Sequence, residues 1–171
     1  NKIYVGATNT FAIKNNGTLW GCGSNQQGRL GVNSSTEFFY SFQQITTATN
    51  WLKVAPSFSY TIALKSDGTI WGWGRNDNYQ TGNTPATLNQ PIPMQIGADT
   101  DWIEIATGTS STSFAIKSNG TIWGWGSNPT SIIVSGSGTT TVSTPTQVGT
   151  DTDWVKMSVG GQHILAQKQN G

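Results

Sequence analysis

One short segment recurs three times in the chain at a nearly constant step. Residues 17–23, 68–74 and 120–126 all have the pattern Gly-Thr-[Leu/Ile]-Trp-Gly-[Cys/Trp]-Gly, and their starts lie 51 and then 52 residues apart. Two further landmarks keep the same step: the tryptophans Trp51, Trp102 and Trp154, and a Lys-x-[Asn/Asp]-Gly motif at Lys14, Lys65, Lys117 and Lys168. A fixed period of about 50 residues is typical of propellers and other repeat folds.

Each unit has the sequence pattern of four short β-strands. In the third unit, residues 102–106 alternate apolar and polar side chains, and Ser118-Asn119-Gly120 is a hairpin signal between residues 113–117 and 121–125. Residues 145–148 form the fourth strand-like segment, and no helical periodicity is visible. The sequence therefore predicts an all-β fold, a β-propeller with about three blades. We expect one partial propeller domain over residues 1–171, with repeats at about 3–52, 54–103 and 105–155 and a half-repeat at 157–171.

The tryptophans are predicted to pack between blades. Gly72 and Gly74 flank Trp73 and leave room for a neighbouring indole, and each Trp can bury roughly 150–250 Å². This structural role is assigned to Trp20, Trp51, Trp71, Trp73, Trp102, Trp123, Trp125 and Trp154.

The combined motif resembles a known repeat family. Residues 21–31, Gly-Cys-Gly-Ser-Asn-Gln-Gln-Gly-Arg-Leu-Gly, are similar to the Gly-x-Asn-x-x-Gly-Gln-Leu-Gly stretch of the regulator of chromosome condensation repeat, including its bacterial alpha-tubulin-suppressor-like relatives. Residues 160–163, Gly-Gly-Gln-His, look like the family's Gly-Gly-x-His. The resemblance implies a propeller, usually of seven blades.

The later units depart from this pattern. Residues 75–82 keep the Asn and a final Gly but lose the middle Gly. In the third unit Asn128-Pro129-Thr130 departs from the motif, and a loop through residues 135–138 replaces it. Phe42 stands where the other units have Pro93 and Pro145.

The repeats do not add up to a ring. There are four copies of the first half-unit and three of the second, whereas propellers close with about four to eight blades. Two interpretations remain: a fragment of a longer chain, which we favour, or copies that close by oligomerisation. Self-association through the open propeller ends would follow from exposed packing faces.

No catalytic set is expected. His163, the only histidine, is predicted to pack or to form a hydrogen bond, and Cys22 to fill the core position of Trp73 and Trp125. Two Asp-Thr-Asp segments, residues 99–101 and 151–153, carry the aspartate pairs that are candidates for a metal site. The favoured interpretation of each segment is a polar turn. The four lysines of the Lys-x-[Asn/Asp]-Gly motif, which we call the lysine column, are interpreted as solvated residues beside hairpin turns rather than as a binding ring. No cofactor is predicted.

The leading hypothesis is a non-catalytic protein-binding or structural scaffold. The net charge of +1 gives no reason to expect a nucleic-acid partner, and no segment is long enough for membrane insertion. Few charged residues, 10% of the chain, favour an extracellular, cell-surface or virion location. The alternatives are a guanine-nucleotide exchange factor for a small GTPase, or a secreted enzyme inhibitor of the same fold.

The loops after each Trp-Gly motif vary most between units, so contact with a protein partner is expected there. The candidate residues are Asn25, Gln27, Arg29, Arg75, Asn76, Asp77 and Tyr79.

Overall fold

The computed structural model describes residues 1–83, 88–134 and 140–171 of the chain. The strands of the first sheet are β1 (Lys2–Val5), β2 (Asn9–Ile13), β3 (Leu19–Ser24) and β4 (Phe38–Gln44). Those of the second are β5 (Trp51–Pro56), β6 (Tyr60–Lys65), β7 (Ile70–Arg75) and β8 (Asn89–Gln95). Those of the third are β9 (Trp102–Thr107), β10 (Thr112–Lys117), β11 (Ile122–Ser127) and β12 (Thr141–Val148). The last sheet has β13 (Trp154–Val159) and β14 (Ile164–Lys168).

Each four-stranded sheet is an antiparallel meander in chain order, and we call the three sheets blades 1, 2 and 3 and the two-stranded sheet the half-blade. The only helical element in the described part of the chain is a 3₁₀ turn at Gln26–Gly28. The predicted all-β partial propeller is confirmed. No helix in the described ranges has the length and apolar character needed to cross a membrane.

Consecutive blades pack face to face, and their first strands contact one another, so the first strands form the inner side of the arc. Equivalent positions on the second strands supply the core between blades: Phe11, Ile62 and Phe114 are all fully buried. Leu165 occupies the same register in the half-blade and is 69% exposed. The described blades therefore form an open arc rather than a closed ring.

The hairpin glycines lock each blade to the next. The carbonyl of Gly68 accepts a hydrogen bond from the Trp102 N–H at 3.2 Å, and Gly17 and Gly120 bond the following blade in the same way. Gly68 has a φ of +78°, and a Cβ there would lie 1.9 Å from the carbonyl oxygen of Thr100. Only glycine fits, because both the conformation and the close approach exclude a side chain. Two of the sequence landmarks thus meet at the blade junction.

A hydrogen-bond relay explains the rest of the repeated motif. In blade 2 the Thr69 hydroxyl donates to Asp67 Oδ1 at 2.6 Å and accepts from the Trp71 indole N–H at 2.9 Å. Asn16 and Asn119 take the place of the aspartate in blades 1 and 3, with the same Thr and Trp partners. The relay fixes the Trp rings of the third strands.

The lysine column is not solvated in blades 2 and 3, so that interpretation was wrong there. Lys65 and Lys117 are both 9% exposed, and Lys65 Nζ lies 4.7 Å and 3.8 Å from the ring centroids of Trp51 and Trp71. Burial lowers the pKa of Lys65. The ammonium is stabilised by two aromatic faces, which the linear sequence does not bring together.

The Asp-Thr-Asp pairs bind Lys117 and Lys168 rather than forming a metal site among the described residues. Asp99 and Asp101 lie 2.8 Å and 3.2 Å from Lys117 Nζ. The equivalent pair before the half-blade, Asp151 and Asp153, binds Lys168 at 2.9 Å and 3.2 Å. No group of three or more metal-ligating side chains occurs in the described ranges.

The remaining two reactive side chains lie near the two ends of the arc. Cys22 is half-buried, unlike Trp73 and Trp125 at the same register, which are fully buried. His163 is exposed, and its ring lies over Gly160, where a Cβ would meet it at 2.4 Å.

Candidate protein-binding site

The loops between the third and fourth strands lie at one end of the blades, which we call the loop face. They comprise residues 25–37, 76–88 and 128–140, of which 84–87 and 135–139 lie outside the described residues. The predicted replacement loop at 135–138 falls in that last gap. The hairpin turns lie at the opposite end, which we call the turn face.

A buried asparagine builds each of these loops. In blade 1, Asn25 Oδ1 accepts from the Leu30 N–H at 3.2 Å, and its Nδ2 donates to the carbonyls of Ser34 and Thr36 at 2.9 Å and 3.1 Å. In blade 2, Asn76 has the same type of bonds.

Blade 3 has the same arrangement, a buried asparagine bonded to the main chain of its loop. Asn128 Oδ1 accepts from the Ile133 N–H at 2.9 Å. Its main-chain N–H donates to Thr140, as Asn25 does to Glu37. The third unit therefore keeps the central residue of the motif, although Pro129 and Thr130 differ from the family pattern.

The loops of blades 1 and 2 also cap the blade that follows them. The main-chain carbonyl of Arg29 accepts from the Trp73 indole at 3.0 Å and from the Thr61 hydroxyl at 2.9 Å. The carbonyl of Gln80 accepts from Trp125 and Ser113 in the same way, at 3.2 Å and 2.7 Å. The loop face is thus built on a rigid support, because the loop backbone is bonded to the core of the next blade.

An open polar groove lies on the loop face between blades 1 and 2. It is lined by Asn25, Gln26, Gln27, Gly28, Ser34, Ser35, Glu37, Asn89 and Pro91. Gly28 and Pro91 form its floor, where a Cβ on Gly28 would approach Pro91 Cα to 2.6 Å. The groove therefore depends on close contact between the two blades.

Arg29 connects this groove to an exposed aromatic ring. Its guanidinium donates to the Gln26 carbonyl at 2.8 Å, to the Thr8 hydroxyl at 3.1 Å and to Gln27 Oε1 at 3.3 Å. It also lies 5.4 Å from the ring centroid of Phe58, which is 59% exposed. Burial lowers the pKa of Arg29, but a guanidinium keeps its charge at any physiological pH.

Sequence reasoning missed Phe58. It lies in the connection between β5 and β6, where the other units have Ala7, Thr109 and Gly161. An aromatic residue at a position otherwise occupied by small residues was the available signal. Its exposure and its contact with an arginine from another blade are visible only in the folded arc.

The structure divides the predicted contact residues into two groups. Asn25, Arg29 and Asn76 are 4%, 4% and 0% exposed and hold the loops in place. The others have accessible surface: Gln27, at a φ of +62°, and the half-buried Arg75, Asp77 and Tyr79.

Arg75 and Asp77 form a bidentate ion pair on the loop face of blade 2. Their atoms are 2.9 Å apart for Nε–Oδ1 and 2.5 Å apart for Nη2–Oδ2. Partial burial opposes ionisation of Asp77, but the bonds from Arg75 and Gln80 outweigh it and lower the pKa of this carboxyl. Neither residue takes part in the Arg29–Phe58 contact between blades 1 and 2.

The fold and the site together define a β-propeller repeat protein whose loop face presents a polar groove and an exposed aromatic ring. Models of the regulator of chromosome condensation (RCC1) repeat match residues 67–115 and residues 1–29 and 53–80, which together exceed half of the chain. The chain belongs to the RCC1 repeat family.

The curated relatives are much longer than this chain. It is 26% identical over 130 residues to the probable E3 ubiquitin-protein ligase HERC6 of Homo sapiens, a match that covers 74% of this chain and 13% of HERC6. It is 32% identical over 129 residues to human E3 ubiquitin-protein ligase HERC2, covering 72% of this chain and 3% of HERC2.

A solved structure with the same fold is that of Prp20p from Saccharomyces cerevisiae. The TM-score is 0.85 at 20% sequence identity, and the match covers 97% of this chain and 43% of the Prp20p chain. At this identity the likeness shows the fold.

Proposed function

We propose that this chain is part of a non-catalytic protein-binding scaffold, and that its contact surface is the loop face of blades 1 and 2. The observation that carries the proposal is the Arg29–Phe58 pair beside the polar groove. An exposed aromatic ring on a rigid support is the kind of residue that dominates binding energy at protein interfaces.

Arg29, which supports the Phe58 ring, is held firmly in place. Three groups accept hydrogen bonds from the Arg29 side chain, and the Arg29 carbonyl is bonded to blade 2. A partner that covers Phe58 therefore meets a preorganised surface and loses little side-chain entropy there. Gln27, whose Oε1 accepts from Arg29, adds an exposed polar group at the edge of the same surface.

Two further observations favour a protein as the partner. The net charge of +1 does not supply the basic field that nucleic acids require. Prp20p, whose fold the chain shares, has been characterised for its binding to Gsp1p and histones, which are proteins. An extracellular or surface location remains a prediction from composition.

The test compares three forms of the chain as bait for proteins from its source cells, followed by quantitative mass spectrometry. Phe58→Ser removes the ring, and Leu165→Ser is the matched control, since Leu165 is also an exposed apolar residue but lies in the half-blade. We expect a captured protein whose recovery falls at least about tenfold with Phe58→Ser and stays unchanged with Leu165→Ser.

Equal recovery with both variants would overturn the assignment of the loop face. A nucleotide-release assay with a small GTPase separately tests the non-catalytic part of the proposal. Faster release in the presence of the chain would contradict it.

A further inference from the structure

Several polar side chains that line the groove on the loop face are not used to hold the loop together. The loop is fixed by bonds to main-chain groups, among them the carbonyls of Ser34 and Glu37. The side chains of Gln26, Ser35, Glu37 and Asn89 are exposed and have no hydrogen-bond or ion-pair partner among the described residues. They are therefore available to a ligand.

Gln27, which also lines the groove, is held in one orientation by Arg29. The Arg29 guanidinium is 4% exposed, and its Nη2 donates to Gln27 Oε1 at 3.3 Å. Because the oxygen is occupied, the Gln27 amide offers its Nε2 hydrogens to a ligand. Gln27 also has a φ of +62°, and non-glycine residues in this region cluster at ligand sites. Gln27 is thus a preorganised donor in the wall of the groove.

The floor of the groove is apolar and is complete within this chain. Gly28 of blade 1 packs on Pro91 of blade 2, with 2.6 Å between an ideal Cβ on Gly28 and Pro91 Cα. At the junction of blades 2 and 3, Tyr79 occupies the position of Gly28, so a half-buried side chain replaces a hydrogen atom there. The flat floor is therefore a feature that the next junction does not repeat.

The charge of the groove narrows the class of ligand. Its lining has one carboxylate, that of Glu37, and no Lys or Arg among the described residues. A phosphate or carboxylate ligand would meet this carboxylate without a compensating cation. A calcium ion needs six to eight oxygen ligands, and no group of three metal-ligating side chains occurs in the described ranges. The lining fits a neutral ligand rich in hydroxyl groups, each of which both donates and accepts.

We propose that this groove binds a neutral saccharide. The C–H face of a sugar ring lies on the apolar floor, and hydroxyl groups at the edge of the ring bond to the amides of Gln26, Gln27 and Asn89. Two neighbouring hydroxyls donate to the Glu37 carboxylate. The groove volume of about 570 Å³ lies within the roughly 300–1,000 Å³ of small-molecule sites. Phe58 does not line the groove, so the inference goes beyond the proposed protein contact.

The experiment titrates the full 171-residue chain, isotope-labelled for NMR, with neutral saccharides. Tetrasaccharides of glucose, mannose, galactose and N-acetylglucosamine are added separately, and the side-chain amide signals of Gln26, Gln27 and Asn89 are followed. At least one tetrasaccharide is expected to shift these signals with a Kd on the order of 1 mM, as a few hydrogen bonds on an open surface give. A sialylated tetrasaccharide should bind at least about tenfold more weakly, because its carboxylate meets Glu37.

Variants place the ligand within the groove. Glu37→Gln and Asn89→Ala each change an exposed side chain, so the melting temperature should stay nearly constant. Each should weaken saccharide binding by at least about fivefold, since each removes a hydrogen-bonding group of the site. Phe58→Ser is the control and should leave the saccharide affinity unchanged.

Three results would overturn the proposal: no shift with any of the tetrasaccharides at about 20 mM, unchanged affinity in both groove variants, or equal binding of the sialylated sugar. Shifts of the same amide signals with calcium chloride alone would assign the groove to a cation instead. Loss of saccharide binding in Phe58→Ser would place the sugar at the aromatic ring. A chain that binds no saccharide but still captures a protein through Phe58 would retain the proposed function and lose this inference.

Discussion

Lys117 and Asp99 form an ion pair at 2.8 Å in which the lysine side chain is only 11% exposed. The same ammonium lies 4.8 Å from the ring centroids of both Trp102 and Trp123. Burial disfavours the charge, but the hydrogen bonds to Asp99 and Asp101 outweigh it and raise the pKa of Lys117. This lysine is a structural cation of the blade rather than a free surface charge.

Replacing Lys117 with Met should therefore destabilise the chain by about 2 kcal/mol, because two indole faces and two carboxylates lose their cation. The measurement is the free energy of unfolding in urea at pH 7. Lys14→Met is the control: Lys14 is exposed and contacts the Trp20 ring, so its loss should be below about 1 kcal/mol. Equal losses would mean that the contacts of Lys117 with the two indoles and two carboxylates add no stability beyond a surface contact.

Gly68 should not tolerate a side chain. Gly68→Ala combines a strained φ of +78° with a Cβ 1.9 Å from a carbonyl oxygen of the next blade. We expect more than about 3 kcal/mol of destabilisation in urea unfolding. Gly97→Ala separates the two effects: Gly97 has a φ of +64° with nothing within 4 Å, so strain alone should cost about 1 kcal/mol.

Asp67 makes stability depend on pH. The bond from the Thr69 hydroxyl lowers the pKa of Asp67, with smaller effects of the Thr69 N–H, Lys65 and Asn50. A lowered carboxyl pKa stabilises the fold above the unfolded value of about 3.9, and the effect is lost as pH falls through the folded value.

Asp67→Asn keeps the relay, since blades 1 and 3 have asparagine there. Urea unfolding at several pH values between 3 and 7 should show a smaller acid-induced loss of stability in this variant than in the wild type. An identical pH dependence would show that Asp67 does not contribute to it.

Asn76 should be essential for the conformation of the loop between β7 and β8. Its Oδ1 accepts from the Thr81 N–H at 3.1 Å and its Nδ2 donates to the Asn83 carbonyl at 2.9 Å. Asn76→Ala leaves both partners unsatisfied in a buried site, which should cost about 3 kcal/mol. Amide hydrogen exchange at Thr81 gives a local readout, and Asn78→Ala, at a half-buried position, should leave that exchange rate nearly unchanged.

Sequence periodicity predicted the repeat, the strand-only architecture and the open arc. It could do so because each blade is one local meander, and strand alternation and hairpin signals are properties of adjacent residues. The glycines were recognisable as turn positions for the same reason. The division into one domain with the stated repeat limits remains a prediction.

The site was less predictable, since its parts come from different blades. The variable loops drew attention to Arg29 and Asn76, yet both are buried supports, and the exposed ring that Arg29 contacts is Phe58. Composition alone could not show which polar residues bond to main-chain groups and which face solvent.

The sequence by itself therefore determined the repeated unit, the strands and the turns, because short-range periodicity and backbone preference depend only on residues that are close together in the chain. The tertiary structure decided the rest. It placed lysines between indoles and joined the carbonyls of the hairpin glycines to the next Trp. These relations arise from packing across about 50 residues of separation, which no local pattern encodes.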